Sequence, residues 1–188
     1  MTETTSAAAA ATALPGRDPA TVEIASLTDA DIEAAGTLEL ETLCARAMGW
    51  FPASIFKRYD VVEGYDGKRY RGWFEYLYWL SPEVAEEERA EGARVEVSSR
   101  PESCRSMIRC PLPRPIKNPA DTLALLEWAG RRFGTRLRID AEGGGGWVVN
   151  VADYDASPDH YSCGTGAYAV ALARAVLKAA AREAGKAG

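Results

Sequence analysis

Histidine is almost missing from this chain: its 188 residues hold one, His160. Any cysteine–histidine pair or mixed zinc site must therefore use that residue. Cysteine is scarce too. Cys44, Cys104, Cys110 and Cys163 lie at irregular spacings with no CxxC pair, which excludes a regular disulfide framework and points to reduced thiols. No run of about 18 strongly apolar residues is present, so no membrane span is expected. The N-terminal stretch "MTETTSAAAAATALPGRDPA" lacks the basic start and large apolar residues of a secretory signal. The expected location is therefore the cytoplasm. A basic excess is lacking as well: net charge is -5 and the pI is near 5.1, which disfavours a general nucleic-acid binder. "AEGGGG" has no Gly-Lys-Ser/Thr after it and is no phosphate loop.

What is present is a core. Hydrophobic residues make up 47%, with five Trp and eight Tyr, enough for one domain that folds without metal or disulfide. Residues 1 to about 26 are Ala/Thr-rich, with too little large apolar surface to offset ordering entropy, and are expected to be a disordered tail. The domain is expected over 27–185.

Ile32, Gly36, Leu40, Leu43 and Ala47 form one apolar stripe and predict a single helix from about Thr28 to Gly49. Thr28 and Asp31 are at capping-box spacing, and Gly49 then Pro52 end the helix. Asp66-Gly67 is a turn signal between two β-rich runs and predicts a hairpin over 56–80. In its second run Trp73, Glu75, Leu77 and Trp79 share one face, and Phe74, Tyr76, Tyr78 and Leu80 the other. Both are largely apolar, so cover on both sides is expected.

Ser81 and Pro82 open a short, solvated helix, and "ARVEVSS" is a candidate strand. Recurring prolines from Arg100 to Asn118 read as loop, with a candidate strand at "SMIRC". Asn118-Pro119 starts a helix that Gly134 stops, with Leu123, Leu126 and Ala129 on one side. "TRLRID" and "WVVNVADY" predict a second hairpin, with Trp147, Val149 and Val151 on one face. Ala169, Leu172, Ala173, Val176, Leu177 and Ala180 predict a last helix over 166–184. The order is helix, hairpin, helix, hairpin, helix. It predicts an α+β fold with three main helices packed on an antiparallel sheet.

"LETLCARAMGWF", with Met48-Gly49-Trp50 its distinctive part, resembles the opening of the phage ABA sandwich domain. "NPADTLALLEWAGRRFGTRLRID", a hairpin and an Ala-rich final helix resemble the remainder, over about residues 37–182. Two features depart from the pattern: Gly166-Ala167-Tyr168 opens the final helix, and 81–105 reads as an insertion. The resemblance implies a helix–sheet–helix (ABA) sandwich and a small protein encoded by phages or prophages. It carries no established reaction and no catalytic residue.

Four constellations are candidate sites. Cys163 precedes a helix start, which lowers a thiol pKa, and His160 with Asp159 could serve as base and orienting group. The plainer alternative is a helix entry capped by Ser162 or Thr165, with Gly164 and Gly166 permitting the turn. Cys104, Cys110, His160 and Cys163 supply a Cys₃His zinc set at irregular spacing. Arg131, Arg132, Arg136 and Arg138, with Lys68, Arg69 and Arg71 among aromatics, could meet single-stranded nucleic acid or form an interaction surface. Tyr76, Tyr78 and Trp79 could anchor a partner if one side of their strand is bare.

The favoured expectation is a non-enzymatic accessory protein, phage- or prophage-encoded and cytoplasmic in its bacterial host. It would act by protein–protein interaction, one version being modulation of a host defence factor. No metal, cofactor or membrane contact is expected. The alternatives are a Cys163/His160-dependent enzyme and a nucleic-acid binder using the arginine face.

Overall fold

The structure, a computed structural model, describes residues 18–63, 66–142, 144–152 and 161–186. It is α+β, with five helices and two separate sheets among those residues. The helices are α1 (Asp29–Ala34), α2 (Thr37–Ala47), α3 (Pro82–Ala90), α4 (Pro119–Phe133) and α5 (Tyr168–Lys186). The strands are β1 (Phe51–Glu63), β2 (Arg69–Leu80), β3 (Arg94–Val97), β4 (Arg105–Ser106), β5 (Leu137–Glu142), β6 (Gly146–Ala152) and β7 (Tyr161–Gly166). The first sheet has the order β3-β1-β2-β4 and the second β5-β6-β7. A single continuous sheet was the expectation. The second hairpin instead pairs with β7, and its strands never join the first.

Several boundaries follow from local chemistry. The Thr28 hydroxyl accepts from Asp31 N at 3.1 Å, and Asp31 accepts from Thr28 N at 2.9 Å, so the capping box forms. The expected single first helix is broken at Ala35-Gly36. Both residues are extended, and Gly36 N donates to Glu39 at 2.7 Å, so a second helix start is built inside the apolar stripe. Ser81 caps α3 by accepting from Val84 N, and Asn118 caps α4 by accepting from Ala120 N. Both are followed by proline at the first position, where a missing N–H costs nothing. Asp66-Gly67 lies between the paired strands β1 and β2, with Gly67 at φ +72°.

Two apolar cores result. The first sheet's core joins Ala53, Ile55 and Leu80 to Ala85 of α3 and to Ala93. Residues 81–105 thus supply a covering helix and an edge strand of that sheet. The helix expected to be solvated buries Ala85 and Glu88. The larger core gathers Ile32, Leu40, Leu43, Leu125, Phe133, Val149, Val151, Leu172, Val176 and Leu177 around α5. In α4 the buried stripe is Leu125, Ala129 and Phe133. Leu123, expected on the inner side, is 53% exposed. Residues 18–26, assigned by composition to the tail, fold back: Val22 and Ile24 pack on this core and Arg46 donates to Pro19 O and Val22 O. Residues 1–17 lie outside the described residues.

The α5–β7 contact sets the second unit. Gly164, in β7, meets α5 so closely that a Cβ there would lie 2.0 Å from Ala171 O and 2.7 Å from Ala175 N. Glycine within a strand marks such a backbone approach. Polar bonds hold the same surfaces together. Lys178 Nζ donates to Cys163 O at 2.7 Å and to Glu33 at 2.6 Å. Arg182 reaches Ser162 Oγ at 3.1 Å and Asp29 at 2.7 Å, and Arg174 pairs with Glu33 at 3.1 Å. Arg174, Lys178 and Arg182 are one turn apart along α5, so a single row of cations ties α1 and β7 to it.

Gly164→Ala is expected to destabilise by at least about 1–3 kcal/mol, the usual cost of overpacking. Gly130→Ala, inside α4 where an added Cβ meets nothing within 4 Å, is expected to stabilise by about 0.5–1 kcal/mol through helix propensity. Urea midpoints of the two variants, moving in opposite directions, check both.

Candidate functional site

The first sheet carries a cleft that gathers charged and phenolic side chains, and it grows from strand alternation. The register pairs Ile55 with Tyr76, Ala53 with Tyr78 and Lys57 with Phe74. Lys57, Tyr59, Tyr76 and Tyr78 therefore share the face that α3 covers. Toward the Leu80 end α3 packs down and fills the space. Toward the turn it leaves a cleft of about 250 Å³, lined by Ile55, Lys57, Tyr59, Tyr76, Tyr78, Glu88, Met107 and Arg109.

Glu88 sits in this cleft with its side chain 1% exposed and two cations on it: Lys57 Nζ at 2.5 Å and Arg109, in a charge-assisted hydrogen bond. A carboxylate so buried requires such partners, because an unpaired charge in that position costs several kcal/mol. The hydrogen bond to Glu88 is the largest influence on Lys57; it outweighs partial burial and raises the ammonium above the usual lysine range. Tyr76 and Tyr78 lie nearly parallel, centroids 6.4 Å apart and planes 8° apart. The hydrogen bond with Tyr59, then burial, push the Tyr76 phenol up to about 12.

The opposite face of the same sheet is bare over much of its length. Trp73 is 60% exposed and lies with Phe56 and Arg94 around a depression; the Arg94 guanidinium stacks 4.5 Å from the Phe56 ring centre. Trp79, on this face but nearer the Leu80 end, is buried. The two-sided cover expected of β2 is thus present at one end only.

The other sequence candidates fall as follows. Cys163 is not at a helix start but inside β7, and α5 begins five residues later. Its neighbours Ser162 and Gly164 face α5, so by alternation the thiol points to the other side of the sheet, away from the helix N-terminus. His160 and Asp159 lie outside the described residues. Among those described, no three His, Cys, Asp or Glu side chains form a metal-holding group. Cys104 sits against Ala53 O, Cys110 beside Ser81, and Cys163 on the other sheet. Burial raises the thiols of Cys44, Cys104 and Cys110, and the Glu41 carboxylate adds to it at Cys44.

The arginine group is largely engaged. Arg132 and Arg136 hold Glu183 at 3.0 and 2.7 Å and stack on Trp128 and Phe133, while Arg138 pairs with Asp140. Arg131 is exposed. Met48 packs half-buried on the α5 core, and Trp50, half-buried, donates its N–H to Ala45 O as the chain turns at Gly49 (φ +93°) from α2 into β1.

Tyr76 and Tyr78 were visible in the sequence, but Lys57, Tyr59, Glu88, Met107 and Arg109 were not. Lys57 and Tyr59 show the same i, i+2 spacing as the tyrosines, and counting back from Asp66-Gly67 brings the two pairs near one another. Glu88 stands in "EEER", where composition cannot separate the buried acid from its solvated neighbours.

In an absorbance titration one phenol is expected to ionise near 12, and Tyr59→Phe should bring it back toward the ordinary value of about 10. A folded-state pKa raised in this way contributes stability below about pH 10, and that stability is lost as pH rises through about 12. Cys44, fully buried, is expected to resist alkylation in the native protein and to react only on unfolding; mass spectrometry of labelled peptides checks this.

Compared with protein-family models, with curated proteins and with solved structures, the chain matches none.

Proposed function

We propose that this chain is a binding protein that acts through protein–protein contact, and that the bare face of the first sheet is its interaction surface. The observation that carries the reading is Trp73, 60% exposed beside Phe56 and Arg94 on a paired strand. Tryptophan and arginine are the residues most often dominant at interface centres, and strands hold them with little entropy left to lose. Arg58 stands directly across from Trp73, while Arg94 pairs with Glu96 at 3.0 Å and Glu75 pairs with Arg100, so charges of both signs rim the apolar centre. Such a rim suits a partner surface that is apolar at its centre and polar around it.

The Met48-Gly49-Trp50 resemblance supports a phage or prophage origin and an accessory role toward a host or phage factor, in the cytoplasm of the bacterial host. It also supports reading the fold as a variant of the helix–sheet–helix sandwich. In that variant the strands have parted into two sheets, with α3 over one and α5 over the other. Among the described residues, no helix is long and apolar enough to cross a membrane.

Trp73→Ala is expected to leave the melting temperature within a few degrees, since surface substitutions cost about 0.5 kcal/mol or less. It is expected to weaken partner binding by about 2 kcal/mol or more, the loss typical of a central aromatic anchor. Affinity capture from bacterial lysate, with wild type and Trp73→Ala compared by mass spectrometry, checks it. A partner held equally by both would remove Trp73 from the surface.

A further inference from the structure

We propose that the Lys57–Tyr76–Tyr78–Arg109 cleft is a second binding site, on the opposite face of the sheet from Trp73, and that it takes a small aromatic carboxylate. Charge is the first argument. Two cations, Lys57 and Arg109, converge on one buried carboxylate, Glu88. Glu91, 3.5 Å from Lys57, brings a second carboxylate, so the four charges sum to zero. Both carboxylates lie on Lys57, while Arg109 shares Glu88 with it and is half-exposed, able to meet one further anion. A monoanion meets less repulsion from Glu88 than a dianion would.

Geometry is the second argument. Arg109 is half-exposed and offers five N–H donors in a planar fork, of which Glu88 cannot use all. A carboxylate accepts such a fork with two oxygens. Tyr76 and Tyr78 lie parallel with 6.4 Å between ring centres and, with Ile55 and Met107, give the cleft aromatic and apolar surface among its polar groups. Offset stacking of one further ring on such a surface is favourable.

Size is the third argument. A volume near 250 Å³ is below the roughly 300–1,000 Å³ of sites for drug-sized ligands, and it suits one ring with one acidic group. The lining is mixed, with Lys57, Glu88 and Arg109 set beside three tyrosines, Ile55 and Met107, and polar groups that converge beside aromatic surface fix a small ligand's orientation.

The test is titration calorimetry at low salt on the full chain, with benzoate as probe. Cyclohexanecarboxylate, inorganic phosphate and phenyl phosphate serve as comparators. The expected result is saturable one-to-one binding of benzoate, with weaker binding of the saturated-ring acid and of inorganic phosphate. Arg109→Gln and Tyr78→Leu are each expected to weaken benzoate binding about tenfold or more, as for loss of one charge-assisted contact or one stacking surface. Trp73→Ala should leave it unchanged, which separates this site from the protein-contact surface. Circular dichroism of each variant confirms that it is folded, and Arg109→Lys should restore part of the affinity. No saturable binding at millimolar benzoate, or binding that survives both Arg109→Gln and Tyr78→Leu, would overturn the site. Tighter binding of phenyl phosphate than of benzoate would overturn the carboxylate assignment, and equal binding of cyclohexanecarboxylate would overturn the aromatic one.

Discussion

The seat of Gly164 on the backbone of α5 is the constraint on which the C-terminal half depends. With a Cβ at that position the strand and the helix would overlap by more than an ångström, so β7 could not lie where it does. From that contact the rest of the unit follows. Because β7 lies against Ala171 and Ala175, Lys178 can reach Cys163 O and Arg182 can reach Ser162. The same cations then hold Glu33 and Asp29, which places α1 across α5. The alanines of α5 permit the approach, while Leu172, Val176 and Leu177 supply apolar burial worth roughly 1.5–3 kcal/mol each.

The two units are pinned by two buried carboxylates used in the same way. Glu41, on α2, meets Arg114 at 3.3 Å and accepts from Lys117 N at 3.2 Å, so the proline-rich loop is fastened to the helix that precedes β1. Glu88, on α3, meets Lys57 of β1 and Arg109 of the same loop. The difference between them is what surrounds the charge. Around Glu88 three tyrosines and an open cleft remain, and this makes the second pin a candidate binding site as well as a tether.

One hairpin therefore presents two chemically distinct faces. On the α3 side the aromatic rings are half-covered, hydrogen-bonded and set beside charge. On the other, Trp73 and Phe56 meet solvent with Arg94 stacked among them. Trp79 and Leu80, buried near the start of α3, anchor one end of the strand pair beneath both. Side chains held on strands need little ordering when a ligand or partner arrives, which favours binding over a loop-borne alternative.

Local features were legible in the sequence because they are settled within a few residues. Thr28 with Asp31, Ser81-Pro82 and Asn118-Pro119 start helices through caps that bond two or three positions away. Gly49 and Gly134 stop them by adopting positive φ, and Asp66-Gly67 turns the first hairpin. Where a local signal was misjudged, a second one competed with it, as Glu39 does at Gly36 within the stripe that predicted one long helix. Nonlocal features were not legible. "YSCGTG" carries two glycines, which weaken its β signal, and it becomes a strand because β6 offers an edge and α5 leaves room only for glycine at 164. Whether the two hairpins share one sheet depends on which edge each finds, and no residue within either hairpin encodes that. The cleft likewise joins Lys57, Tyr76, Glu88 and Arg109 from four segments of the chain. The sequence by itself determined the starts of α1, α3 and α4, the two hairpins and the alternation of faces along their strands. Only the tertiary structure decided which faces stay open, because cover comes from elements distant in the chain.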